Sequence, residues 1–171
     1  MQFSSVYPPY QGAPSVNPNG TIDIYFYNDT GAALADGYIG MLSWELVANA
    51  DSEPVLYPIL KTPQTEGVAV VQLAVVNGNA DASVADATWG LARIYGEVNA
   101  KCDGTTDLAL GDQLEVLTDG VSFIEAAAAT SGDAGDILDE CAAIAMEVYT
   151  LTVSANKLVF LLGKQVVIAG S

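Results

Sequence analysis

The side chains able to do chemistry in this chain are its 21 acids, five basic residues and two cysteines; it contains no histidine. Without imidazole, a Ser-His-Asp triad, a Cys-His pair and a histidine-bound metal cannot be built. The usual general base near neutral pH is missing as well. Carboxylate or lysine chemistry is what remains. Asp103, Thr105 and Asp107 alternate like the start of a calcium loop, but Leu108 stands where such a loop turns on glycine and Leu114 where it needs a bidentate Glu. The stretch therefore reads as solvated turn residues, with a calcium site of another type as the alternative. Asp139 and Glu140 are neighbours in sequence, so an extended chain points them to opposite faces and they make no glycosidase pair. Gly132-Asp133-Ala134-Gly135-Asp136 has neither dinucleotide-binding spacing nor a phosphate-binding lysine. Cys102 and Cys141 lie in no CxxC and can form one disulfide at most; they read as buried thiols acting as small hydrophobes. Asn19-Gly20-Thr21 and Asn28-Asp29-Thr30 match the glycosylation acceptor pattern. The inventory assigns no catalytic residue, no cofactor and no metal, and argues against an enzyme.

The charge balance limits the partners. The formal net charge is −16, and Lys61, Arg93, Lys101, Lys157 and Lys164 are scattered along the chain. Nucleic-acid binding needs many cations gathered into a stripe, and an anionic membrane would repel this protein. No run approaches the length of a transmembrane helix, and the N-terminal stretch has no signal-peptide pattern. Synthesis in a cytoplasm is the expectation. Hydrophobic residues make up 51% of the chain, which argues against disorder over its whole length. A chain of this size buries roughly 70% of its unfolded surface, enough for a core without staples.

The elements that would position these groups read as strands. Met1–Gly20 holds four prolines, Pro8, Pro9, Pro14 and Pro18, and reads as an extended arm. Its aromatics Phe3, Tyr7 and Tyr10 suit an arm that packs on something. Residues 21–171 read as a single β-rich domain. Thr21–Asn28 alternates, with Ile22, Ile24 and Phe26 on one face and Asp23, Tyr25 and Tyr27 on the other. Gly37–Val47 and Val55–Leu60 are extended, with Asn49–Pro54 as a loop between them. Val68–Val76 is apolar on both faces, as in a strand buried on both sides. Thr88–Cys102 reads as a strand or kinked pair, with Gly90 and Gly96 marking bulges or close backbone approach. Gln113–Thr118 and Val121–Ala126 flank the hairpin signal Asp119-Gly120, and Leu114, Val116 and Tyr95 are expected on an inward face. Asp136–Val148 is ambiguous: Ala142, Ala143, Ala145 and Met146 favour helix, while Ile144, Val148, Tyr149, Leu151 and Val153 continue an extended pattern. Leu158–Ile168 reads as an apolar strand pair broken near Gly163-Lys164. Roughly nine short strands with turn chemistry between them predict a mainly β fold, an antiparallel β-sandwich or small barrel. No repeat at a fixed period stands out.

Several of these segments, in this order, carry a resemblance. They are the apolar strand Val68–Val76, Trp89-Gly90-Leu91-Ala92, Ile94-Tyr95-Gly96-Glu97-Val98, Gly111-Asp112-Gln113-Leu114, Val121–Ala126 and Ile144-Ala145-Met146-Glu147 before a final apolar strand. From Val68 to Ile168 the chain resembles the small decoration (cement) proteins on the capsids of tailed phages. Trp89 replaces the usual Phe, and Met146 sits where a small or aliphatic residue is common. The resemblance implies a sandwich or tulip-like body, usually assembled as a homotrimer. It implies the major capsid protein and the chain itself as partners, and the outer surface of the virion as the location. It brings no catalytic residues. Phe3, Tyr7 and Tyr10 would be the arm's anchors on the shell. The alternative class is an acidic β-sandwich subunit of a cell-surface layer or filament, which shares composition and strand count.

Overall fold

The computed structural model describes residues 14–28, 30–48, 54–61, 69–77, 83–104, 107–116, 122–126, 141–150, 153–163 and 165–168. Eleven strands occur among them and no helix: β1 Ser15–Val16, β2 Ile22–Asn28, β3 Ile39–Ala48, β4 Pro54–Lys61, β5 Ala69–Val76, β6 Trp89–Cys102, β7 Gln113–Val116, β8 Phe123–Glu125, β9 Ala143–Ala145, β10 Ala155–Leu161 and β11 Gln165–Ile168. The expected mainly β body is therefore present, and of sandwich and barrel it is the barrel. The pairing is not wholly antiparallel: β2–β4 and β6–β8 run parallel.

The pairings close two rings. β2 pairs with β4, β4 with β3, β3 with β5, β5 with β6 and β6 with β2. The second ring runs from β6 to β8, β7, β9, β10 and back to β6. β6 belongs to both. Its first half, Trp89–Tyr95, pairs with β2, and its second half, Gly96–Cys102, pairs with β10. Gly96 sits at the handover with φ +96°, a backbone that L side chains rarely adopt. A Cβ there would lie 2.7 Å from Thr21 Cγ2. The expectation of a strand or kinked pair is resolved as one long strand bent at Gly96, while Gly90 marks a close approach of Val84 and Phe26.

The two rings have the same topology. In each, the first strand pairs in parallel with the third, and the second joins the third to the fourth. The correspondence extends to single hydrogen bonds. Leu34 and Val84 exchange both backbone bonds, as do Leu108 and Tyr149. Gly37 N donates to Val76 O and Gly111 N to Ala145 O, each at 2.9 Å. Val76 N donates to Tyr38 O, and Ala145 N to Asp112 O. The displacement that carries Leu34 to Leu108 also carries Ala35 to Ala109, Gly37 to Gly111 and the start of β3 to the start of β7. The two barrels are thus an internal repeat, though not one with a fixed sequence period. The repeat is one of topology and register; few side-chain identities survive, and the insertions between the other strands differ in length, so no fixed period shows.

Each ring encloses its own core. Ile24, Phe26, Leu34, Leu60, Ala74, Val76 and Ala92 fill the first. The second cluster contains the matching Val98, Ala100, Leu108, Phe123, Ala143, Ala145 and Val159. β5 is buried on both faces, as its apolar run predicts: Ala74 and Val76 belong to the first cluster, Leu73 and Val75 to the second. The outer face of the first barrel, Ile39 and Met41 with Leu73 and Val75, joins the second barrel's core and fastens the two together.

Other expectations are revised. Pro54 opens β4 instead of ending the preceding loop, and pairs with Ala48. The ambiguous stretch from Asp136 contains only the short strand Ala143–Ala145 among its described residues, because those alanines are the small side chains that fit inside the second barrel. Val148 and Val153, from the extended pattern expected after β9, lie outside the described strands and are exposed. Tyr95 does not share the inward face with Leu114 and Val116. It lies on the outside against Phe160, edge to face, with ring centroids 5.4 Å apart.

Candidate functional site

The arm aromatics Phe3, Tyr7 and Tyr10 lie outside the described residues. The end of that stretch is held to the body. β1 pairs with β2, and Asn17 Nδ2 donates to Thr21 Oγ1 at 2.9 Å and to Asp23 Oδ2 at 2.7 Å. The same Asp23 accepts from Arg93 Nε at 2.7 Å and Arg93 Nη2 at 3.2 Å, and Arg93 Nη1 donates to Glu97 O. Asp23 and Arg93 are cross-strand partners at the bulge near Ile22, nearly closed off from solvent, so this two-point ion pair locks β2 to β6.

Among the described residues, several of the groups that could do chemistry make structural contacts. Cys102 and Cys141 are free and buried, as expected of small hydrophobes. Burial pushes the Cys102 thiol up to about 12, with Glu147 adding to the rise and Lys157 opposing it, so it remains a thiol at neutral pH. No group of His, Cys, Asp or Glu among the described residues has metal-site geometry. Asp112 Oδ2 accepts from Ala109 N at 2.6 Å, closing the turn of its own loop. In the acceptor triplet that begins at Asn28, the side chain of Asn28 has no solvent exposure. Its Nδ2 faces the carbonyls of Ala32, Val84 and Ala85, and its Oδ1 accepts from Thr30 N and Oγ1.

What the fold does assemble is a pair of equivalent loop clasps, one per barrel. In the first, residues 30–38 run beside residues 83–88 and meet at the Leu34–Val84 bridge, with Asn28 pinning both. In the second, residues 103–104 and 107–112 run beside residues 146–150 and 153–154 and meet at Leu108–Tyr149. Cys102 takes the place of Asn28. Lys157 covers the Tyr149 ring at 3.3 Å and lies 3.9 Å from Glu147.

The two clasps have different surroundings. The turn at Asp36-Gly37 is seated on the second barrel: Lys101 N and Asn156 Nδ2 donate to Gly37 O and Asp36 O, each at 3.0 Å. A Cβ on Gly37 would meet the Asn156 amide, whereas one on Gly111 meets nothing within 4 Å. The second turn carries Leu110, 66% exposed, where the first has Asp36; Val148, 72% exposed, stands where the first has Ser83. Val153, in the same clasp, is 65% exposed. Sequence reading missed these three because each sits in an apolar pattern that looks like core. The signal that finds them is the comparison with the first barrel. Comparison with protein-family models, with curated proteins and with solved structures returned no match to this chain.

Proposed function

We propose that this protein is a structural virion component, a capsid decoration protein. It binds the outer surface of a tailed-phage shell and stabilises the lattice by filling contact area between subunits, with no bond made or broken. The observation that carries the reading is where the resembling segments fall. Trp89–Val98 lies within β6, the strand common to both barrels; Gly111–Leu114 leads into β7; Ile144–Glu147 includes the end of β9; and the last apolar strands are β10 and β11. Of these, the second half of β6, β7, β9 and β10 are neighbours in the second ring, which also presents the exposed apolar clasp; Trp89–Tyr95 and β5 belong to the first ring, and β11 pairs with β5. An acidic body with two filled cores and one apolar end suits a part that works by docking.

The partner in this reading is the major capsid protein, and the chain itself assembles as a homotrimer about a symmetry position of the shell. Burial of apolar surface contributes roughly 25 cal/mol per Å², so a modest footprint repeated over a lattice gives large total stabilisation. Mixing the purified protein with undecorated shells tests this. Saturable binding at symmetry-related positions and a raised shell disruption temperature are expected. Failure to bind, together with a monomer indifferent to any shell, rejects it.

A further inference from the structure

We infer that the loop clasp of the second barrel, with Leu110, Val148 and Val153 at its surface, is the end that docks on the shell, and that it meets an apolar protein surface with a basic rim. This rests on the decoration reading above and deepens it.

The molecule itself shows what such a turn does. In the first barrel the equivalent turn, Asp36-Gly37, is covered by a neighbouring barrel through two hydrogen bonds. Among the described residues nothing covers Leu110-Gly111, yet this turn bears the large apolar residue, and the covered one bears the acid. An apolar side chain two-thirds in solvent, at a position where the sister repeat has Asp, is the pattern of a surface that is buried in an assembly. Val148 repeats the pattern, because the sister position holds the polar Ser83.

The occupant is neither a third barrel nor a second copy. The face that fastens the first barrel to the second is apolar, Ile39 and Met41, but its equivalents in the second barrel are Gln113 and Glu115, so that mode of stacking ends here. A second copy cannot receive Leu110-Gly111 as Asp36-Gly37 is received, because the Lys101 and Asn156 donors are already occupied within each chain. Residues 103–112 and 146–154 contribute Asp103, Asp107, Asp112 and Glu147 to this end against Lys157, which covers Tyr149, and the whole chain carries −16. Self-docking through this end would bring like charges together; a partner with Lys and Arg around an apolar patch complements it.

The test gives the second clasp the residues of the first: Leu110→Asp with Val148→Ser. Undecorated shells built from the major capsid protein encoded with this chain are the probe, and binding is read by co-sedimentation. Wild type is expected to saturate the shells, more weakly as salt rises. The double variant is expected to lose at least about tenfold in affinity with an unchanged melting curve. Ala33→Ser, at an exposed position of the first barrel's clasp, is expected to bind as wild type. If the double variant melts early, Leu110→Gln alone makes the same comparison. Undiminished binding by a folded variant overturns the inference and leaves the decoration reading standing. Wild type that ignores shells overturns both. A wild-type oligomer that Leu110→Asp dissociates overturns the inference in favour of self-association.

Discussion

Gly96→Ala is the sharpest test of the shared-strand architecture. The residue has φ +96° at the point where β6 passes from one ring to the other. A left-handed conformation costs an L residue roughly 1–2 kcal/mol. The new Cβ also lies 2.7 Å from Thr21 Cγ2, 3.1 Å from its Cβ and 3.2 Å from its Cα. Thr21 is buried, and its hydroxyl is engaged by Asn17 and Asn19, so it cannot simply turn away. Overpacking of this kind adds roughly 1–3 kcal/mol, for a total of about 2–5 kcal/mol. Gly111 supplies the control: its φ is +93°, but a Cβ there meets nothing within 4 Å. Gly111→Ala therefore carries the backbone cost alone. Urea denaturation of the two variants isolates the packing contribution by difference. Thr21→Ser in the Gly96→Ala background removes the nearest atom and should recover part of that difference. Equal destabilisation by Gly96→Ala and Gly111→Ala would refute the reasoning, because it would mean that β6 does not pass Thr21 at this distance.

The remaining predictions address separate contacts. Asp23→Ala leaves Arg93 unpaired at the β2–β6 bulge and is expected to cost about 3–5 kcal/mol; a double-mutant cycle with Arg93→Met should show coupling, and additive effects would exclude the ion pair. Asn28→Asp replaces the amide donor with an acceptor facing three carbonyls, so a loss of at least about 2 kcal/mol is expected from thermal melts. Cys102 is raised from an ordinary value of 9.0 to about 12 in the folded chain, so above pH 9 the unfolded state sheds a proton that the native state keeps. Stability from this group is complete below pH 9 and falls by up to about 1.4 kcal/mol per pH unit between there and about 12. Cys102→Ala should flatten that slope in equilibrium denaturation, and native Cys102 should resist thiol reagents at neutral pH. Removing residues 1–13, while keeping β1 and Asn17, is expected to weaken shell binding without lowering the melting temperature; unchanged affinity would remove the arm from the contact.

Local sequence was enough for the strands and for their two-sided or one-sided burial. The alternation of Ile24 and Phe26 and the doubly apolar run ending at Val76 state a backbone preference that tertiary packing then obeys, and β7 and β8 pair antiparallel, as the Asp119-Gly120 signal in the sequence between them predicts. The missing histidine and the acid excess bounded the function in the same direct way. Ring closure, the second use of β6 and the equivalence of the two barrels were not legible, because they reside in which strands pair. A barrel interior asks only that paired positions fill a volume, so Phe26 and Ala100, or Leu60 and Phe123, can occupy equivalent places without resembling one another. The exposed clasp was hidden for a related reason. Leu110, Val148 and Val153 have the same composition as core, and only the tertiary structure decides that they face solvent. Their meaning emerges beside Asp36-Gly37, a turn of the same geometry that the fold has already covered.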